Sequence, residues 1–453
     1  MQIDRGAPRG DSIAEALAPE AAQLLPILVI KGARSGSTLL MELLGGDARC
    51  EFDRVHPYEA RYLGWFAKTA ALMDGWRFRE QQDFNPLEDP VLSMVPTAWR
   101  AQGTDCNLVG LPDGASVFRV LWGLLCRAAR TKNPHAEFYA EKISFWTLAY
   151  LRTIIDAFAV YLFRDPRDRF LSARAFAAQQ GSFTWEAPPG DTPLDYALRM
   201  ARIMLELHEN YKLEQDTARG CLIRYEDLVS DPETALQALS RATGIQPAYF
   251  PSYENYLLHC TSPDVAGSMG RWKREGLEAD VRRCLEWLLA DTMIDLGYEL
   301  ESTETYGQSS LNFHGSSESR APLDAAADGF TTNLTVRGAH VQVTGPCFHV
   351  HLPFDPFDAA EVSELWVCIS AGLGSFGAVY WRDRTGTFDD GRCVQVFYDS
   401  ADQYTILRFK LKEHPRWSGR IHQLQLNLFN GQGWDRSGKT GYIRWIRLLP
   451  SAF

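Results

Sequence analysis

A short apolar run, "LLPILVI", leads into "KGARSGSTLL" at residues 31 to 40, which runs on through the helix-compatible "LLMELLG". A β-branched strand, a tight glycine turn and a helix in that order form a phosphate-cradle layout. The first-turn N–H groups and the positive end of the helix dipole face whatever lies beyond the strand. Gly32 and Gly36 allow close backbone approach, Ser37 and Thr38 open the helix, and Arg34 adds a planar fork suited to phosphate or sulfonate oxygens. The Gly-Lys-Ser/Thr ending of a nucleoside triphosphatase loop is missing, so a different anion is expected. A Gly-Ser turn that only caps a helix would use the same residues, so the reading needs partners elsewhere in the chain.

At 453 residues there is room for two or three domains, each with its own core. An apolar share of 45% with 23% charged residues describes a soluble globular enzyme and excludes a disordered or fibrous chain. The longest apolar run near the N-terminus is far shorter than the roughly 20 residues a membrane span needs, and no basic region precedes it. A cytoplasmic protein without an anchor is expected. The nine cysteines include no C-x-x-C pair and are odd in number, which favours reduced thiols. A net charge of −11 argues against a nucleic-acid binder. Residues 321 to 453 carry 13 Lys plus Arg against 13 Asp plus Glu, so the acidic excess lies in 1–320. An anionic ligand there must be held by a local cluster of donors.

Residues 1–22 read as a flexible arm. From 23 to 301, short β-branched runs such as "PILVI", "AFAVYLF" at 157 to 163 and "CLIRY" at 221 to 225 alternate with helical stretches, which predicts an α/β fold with a parallel sheet flanked by helices. Residues 302–324 are Ser and Gly rich and read as a linker. From 325 to 453, runs such as "SELWVCIS", "GAVYWRD" and "HQLQLNLF" recur between turn residues, which predicts an all-β, jelly-roll-like sandwich.

Three further stretches bear on the anion. In "YLFRDPRDRFLSARAF", Arg164 leaves the C-terminal end of a predicted strand, where α/β folds bind ligands, and Ser172 follows in the next helix. Asp165, Arg167 and Asp168 read as a solvated, charge-balanced turn. "IRYEDLVSD" places Tyr225 at a strand end. "GSMGRWKREG" packs Arg271, Lys273 and Arg274 around Trp272 in a glycine-rich loop suited to a lid.

In this order the four pieces resemble the sulfotransferases that use 3′-phosphoadenosine 5′-phosphosulfate (PAPS), closest to the bacterial, Golgi-type and tyrosylprotein branch. "GARSGSTLL" looks like their 5′-phosphosulfate loop, with Ala33 in place of proline and Ser37 in place of threonine; "RDPRDRFLS" looks like their 3′-phosphate motif. The resemblance implies that Arg34, Ser35, Gly36, Ser37 and Thr38 hold the 5′-phosphosulfate and that Arg164 and Ser172 hold the 3′-phosphate. It places Tyr225 against the nucleoside and Ser268, Arg271 and Trp272 in a closing loop.

Transfer to a hydroxyl needs a base and a cation for the leaving bridge oxygen. "RCEFDRVHP" resembles the tyrosylprotein sulfotransferase segment with the catalytic glutamate, which implies Glu51; His56, Glu59 and Asp53 are the neighbouring alternatives. "YAEKISFW" resembles the segment upstream of the 3′-phosphate motif and implies Lys142 as the cation; a snorkelling surface lysine is its bland reading. The histidines are few and dispersed, so no metal is expected.

The C-terminal stretch is loosely similar to β-sandwich modules of bacterial glycan-modifying enzymes. Trp366, Trp381, Trp417, Trp434 and Trp445 are either sugar platforms or core residues. The expectation is a sulfotransferase acting on a hydroxylated acceptor, a carbohydrate or glycosylated metabolite, with a protein tyrosine as another acceptor. An ATP-dependent small-molecule kinase and a non-catalytic carbohydrate-binding protein are the alternatives from other classes.

Overall fold

The computed structural model describes residues 23–55, 57–73, 113–180, 192–215, 217–248, 261, 266–301, 310–312, 330–335, 338–343, 350–371, 375–398, 401–430 and 440–451. The expected N-terminal arm, His56, Trp434 and all of the expected linker except 310–312 lie outside them. By packing, the described chain forms two units: residues up to 180 with 214–274, and 192–213 with 275 onward.

The first unit is built on five parallel strands, β1 (Leu25–Lys31), β2 (Cys50–Glu51), β3 (Phe138–Ile143), β4 (Phe158–Phe163) and β5 (Gly220–Arg224), in the order β2-β3-β1-β4-β5. β1, β3 and β4 are buried along almost their whole length, which is why their sequences read as continuous apolar runs rather than alternating ones. The helices are α1 (Ser37–Leu44), α2 (Tyr62–Met73), α3 (Gly114–Lys132), α4 (Phe145–Leu151) and α5 (Pro166–Gln180), then α7 (Tyr225–Ser230), α8 (Pro232–Thr243) and the single turn α9 (Arg271–Arg274). The intervening helix α6 (Pro193–Glu214) belongs mainly to the second unit. Period-two alternation divides the sheet's side chains. Val29, Phe138, Ala140 and Val160 pack with Leu39 and Leu43 of α1, whereas Tyr139 packs edge-on against Trp122 of α3, 5.8 Å away. β1 pairs with β3 on one side and β4 on the other; the chain runs from β1 outward to β2 and later crosses from β3 to β4, so the strand order reverses beside β1, whose C-terminal end lies at the crevice where such sheets bind ligands.

Among the described residues the second unit contains helix α10 (Ala279–Asp295) and twelve strands, β6 (Ser310–Asn312), β7 (Phe330–Thr335), β8 (Gly338–Val343), β9 (Val350–Leu352), β10 (Phe357–Asp358), β11 (Val362–Ala371), β12 (Ser375–Arg382), β13 (Cys393–Tyr398), β14 (Ala401–Phe409), β15 (Arg420–Ile421), β16 (Gln423–Asn430) and β17 (Thr440–Pro450). An antiparallel sheet ordered β14-β11-β17-β8-β7, with β6 also paired to β17, faces a second ordered β13-β12-β16-β9. Leu365, Val367, Ile369, Ile443 and Ile446 of the first sheet share a core with Val379, Trp381, Leu424, Leu426 and Leu428 of the second. The predicted sandwich is therefore observed. The other face of β17 is covered as well: Arg447 donates to Leu288 O and, at 2.7 Å, to Asp291 of α10, and Arg444 pairs with Glu209 of α6.

This burial corrects the sugar-platform reading of the described tryptophans. Trp366, Trp381, Trp417 and Trp445 are each at most 8% exposed. Trp417 Nε1 donates to the Ala359 and Val362 carbonyls at 2.9 and 3.0 Å, and Trp381 Nε1 donates to Arg416 O at 3.3 Å. These rings fill the fold, and the N–H groups of Trp381 and Trp417 are satisfied inside it.

Candidate active site

The loop after β1 is shaped by what binds its carbonyls. Ser35 Oγ donates to Gly32 O at 3.0 Å, Arg169 Nε to Ala33 O at 2.6 Å, and Arg164 NH1 to Arg34 O at 3.0 Å. With three successive carbonyls engaged by donors, the loop is fixed where it meets the N-terminus of α1, whose first N–H groups have no acceptor within the helix. Gly36 caps that helix at φ 93°, and a Cβ there would lie 2.1 Å from Tyr225 Cδ2. Gly36→Ala is therefore expected to lower stability by roughly 1–3 kcal/mol from the backbone conformation alone, with the ring clash added, as measured by urea unfolding.

Arg164, 6% exposed, is the hub of the adjoining wall. Its NH2 donates to Ser268 O at 2.8 Å and its guanidinium lies 4.5 Å from the centre of the Tyr225 ring, whose hydroxyl meets Ser268 Oγ at 2.7 Å. Arg164 Nε is buried without a hydrogen-bond partner, a donor in want of an acceptor. Beside it Arg34 Nε donates to Ser172 Oγ at 3.3 Å; Ser172 meets Thr261 Oγ1 at 3.1 Å, and Arg271 NH1 donates to Thr261 Oγ1 at 3.1 Å. Two guanidiniums and two hydroxyls thus meet at one place, next to a third guanidinium with an open donor. This set fits an oxyanion.

Asp165, Arg167 and Asp168 are not the solvated turn expected. Arg167 is 1% exposed and clamps Asp165 through Nε at 2.9 Å and NH2 at 2.7 Å, and its guanidinium lies 3.7 Å from the centre of the Trp272 ring. Asp168, also 1% exposed, accepts from the Gly270 and Trp272 amides at 2.5 and 2.9 Å, and so fastens the 266–274 loop to α5. Burial pushes its carboxyl up, against the pull of those amides. The bland reading failed because the charges pair among themselves and with backbone amides, which permits burial.

Across the loop lies a second charged group. Lys142, 3% exposed, donates to Thr38 Oγ1 at 3.1 Å and Pro57 O at 2.6 Å, which excludes the surface-lysine reading. Its Nζ is 3.8 Å from Glu59 Oε1, to which Lys31 Nζ comes within 3.5 Å, while Arg61 NH2 donates to Glu59 Oε2 at 2.8 Å. Burial, then Lys31, brings Lys142 down to about 7, partly offset by Glu59. Burial would raise Glu59, but Lys31, Lys142 and Arg61 together hold it at about 2. Among the described residues the only non-glycine positions with left-handed backbone are Arg34, Tyr58 and Arg61, at φ 60°, 65° and 56°. All three border this group, in the manner of strain held at functional sites.

Glu51 does not join it. In register Glu51 pairs with Tyr139, so it lies on the α3 side of the sheet, where it is 6% exposed and paired with Lys132. Lys142, three positions beyond Tyr139, lies on the opposite, α1 side. Asp53 accepts from Val55 N at 3.1 Å in a local turn. The carboxylate beside Lys142 is Glu59. Sequence reasoning missed the roles of Lys31, Arg169 and Thr261; the last residue of β1 before a glycine loop is a readable signal for Lys31, whereas Thr261 reaches Ser172 only through the tertiary fold.

Among the described residues no group of three or more His, Cys, Asp or Glu is placed to hold a metal, and no helix is long and apolar enough to cross a membrane.

A parallel α/β sheet thus carries a glycine loop and a basic wall at the C-terminal end of its central strand. Residues 26–249 match the family model described as "Sulfotransferase family". The chain is similar to the sulfotransferase domain from the curacin biosynthetic pathway, at 19% identity over 61% of this chain and 99% of that one, with a TM-score of 0.36. It is also similar to the sulfotransferase domain of the Synechococcus PCC 7002 olefin synthase, at 20% identity over 62% and 98%, with a TM-score of 0.35. A variant of a family 29 carbohydrate-binding module overlaps 32% of this chain and 94% of its own at 11% identity and a TM-score of 0.24. No curated protein matches.

Proposed function

We propose that the first unit moves a sulfuryl group from PAPS to an acceptor hydroxyl. The observation that carries this reading is the placement of two donor groups on either side of one loop: Arg34, Arg164, Ser172, Thr261 and Arg271 on one side, and Lys142, Lys31 and Thr38 on the other. A carrier with phosphate at both ends needs two such anion sites. The first group would hold the 3′-phosphate, with Tyr225 and Trp272 near the nucleoside, and the loop residues Arg34 to Thr38 with Lys142 would hold the phosphosulfate. PAPS, when bound, supplies the sulfuryl group and an anionic leaving group.

Glu59 takes the proton from the acceptor hydroxyl at Oε1 as the oxygen attacks sulfur, and Lys142 with Lys31 balances the charge growing on the departing bridge oxygen. The two lysines that hold Glu59 so acidic are the cations an incoming anion would share. Their attention to it restores the carboxylate's proton affinity. Glu59 takes the place that the sequence reading gave to Glu51.

The acceptor we propose is a carbohydrate or glycosylated metabolite, on the strength of the sandwich unit alone. Retention on immobilised adenosine 3′,5′-bisphosphate, competed by the free bisphosphate but not by ATP, tests the donor; competition by ATP alone would favour a kinase. A screen of hydroxylated acceptors with radiolabelled donor then identifies the acceptor.

Lys142 adds a pH dependence. With its pKa at about 7, the ammonium is charged below that value and loses its charge as pH rises through it. Affinity for adenosine 3′,5′-bisphosphate, measured by calorimetry, is expected to fall between pH 6 and 8.5 in the wild type. Lys142→Met should bind more weakly at pH 6 and lose that dependence.

A further inference from the structure

The segment that carries Glu59 is held at both ends by buried carboxylates that touch no reacting group. Before it, Tyr58 OH donates to Glu42 Oε1 of α1 at 3.0 Å, and both residues are buried. After it, the amides of Leu63 and Gly64, at the start of α2, donate to Glu141 Oε2 and Oε1, each at 3.0 Å, and Tyr139 OH adds a third bond at 3.2 Å. Glu141 is 2% exposed. Between the anchors, Tyr58 and Arg61 keep left-handed backbone, which side-chain-bearing residues adopt only when the surroundings enforce it. Released from either anchor, the segment would relax toward ordinary backbone and carry Glu59 away from Lys31 and Lys142.

We propose that Glu141 is a positioning residue for the base: by accepting the Leu63 and Gly64 amides in the first turn of α2 it fixes the strained segment that places Glu59 between the two lysines. Glu141 and Lys142 are consecutive on β3 and point to opposite faces, so one strand fixes both partners of the reaction centre, Lys142 directly and Glu59 through α2. Burial pushes the Glu141 carboxyl up to about 7 even with the Leu63, Gly64 and Tyr139 donors aimed at it, the cost of a carboxylate kept in the interior.

This inference rests on Glu59 being the base, and the test separates the two. Glu141→Gln keeps the shape but offers an N–H to one of the two amides. The expected result is a fall in kcat of about 10- to 30-fold, a displacement effect, with the KM for donor and the calorimetric Kd for adenosine 3′,5′-bisphosphate changed less than about 2-fold. In the Glu59→Gln background the same substitution should cost less than about 2-fold more, because a positioning residue has nothing left to position. Wild-type kcat in Glu141→Gln, or a loss that multiplies undiminished onto Glu59→Gln, overturns the positioning role and leaves the base standing. Near-normal turnover of Glu59→Gln overturns the base itself and the inference with it. Should Glu141→Gln fail to fold, Tyr58→Phe releases the other anchor without changing shape. It should lower kcat about 3- to 10-fold and be equally silent in the Glu59→Gln background; independence from Glu59 there overturns the proposal.

Discussion

Glu59→Gln should cut turnover by about 10² to 10⁴ while adenosine 3′,5′-bisphosphate binds with nearly wild-type affinity, since the loss falls on proton transfer rather than on the nucleotide. The amide is isosteric; with its oxygen kept toward Arg61, its NH2 faces Lys31 and Lys142, which lose both the opposing charge and an acceptor. Losing that charge should, if anything, tighten the anion site. Steady-state rates with saturating donor, set against calorimetric affinity, separate these effects. The control is Glu51→Gln, which breaks the pair with Lys132 on the far side of the sheet and should lower stability with little change in kcat. A large kcat loss in Glu51→Gln and none in Glu59→Gln would return the base to Glu51.

Arg164→Ala should weaken binding of the same bisphosphate by roughly 1.5–3 kcal/mol, the range for a lost charge-assisted hydrogen bond. At 1.4 kcal/mol per tenfold that is about 12- to 150-fold in Kd. The substitution also removes the stack on Tyr225 and the bonds to Arg34 O and Ser268 O. Arg164→Lys should recover little, because a single ammonium cannot reproduce a fork that holds two carbonyls and still offers Nε. Calorimetry at two salt concentrations tests the electrostatic part: the difference between wild type and Arg164→Ala should shrink as salt rises, to the extent that the site is open to solvent. Unchanged affinity in Arg164→Ala would remove the 3′-phosphate assignment.

The strand, loop and helix around residues 31 to 40 were legible because every cue is local: a buried β-branched strand, glycines at the turn and hydroxyls at the helix start. Arg164 and Ser172 were legible for the same reason, since one strand end and the helix after it carry both. The face that Glu51 takes was not readable, because β2 has only two residues, too few for an alternation that shows it. Glu59 was obscured by its neighbours, for no local rule expects Tyr58 and Arg61 to adopt left-handed backbone. The buried Asp165–Arg167 pair depends on partners such as Trp272 more than a hundred positions away. In the sandwich, β11 reads "VSELWVCISA" without strict alternation because both of its faces are covered, and only that second cover explains why Trp366 is buried.

That second cover has its own consequence. Arg444 and Arg447 tie β17, the last strand, to α6 and α10, helices contributed by much earlier parts of the chain. Charges sealed from water depend on their partners, and stripping one side away strands the other in a medium that solvates it poorly. The sandwich is thus riveted to those helices rather than strung behind them like a trailer, and they must melt together.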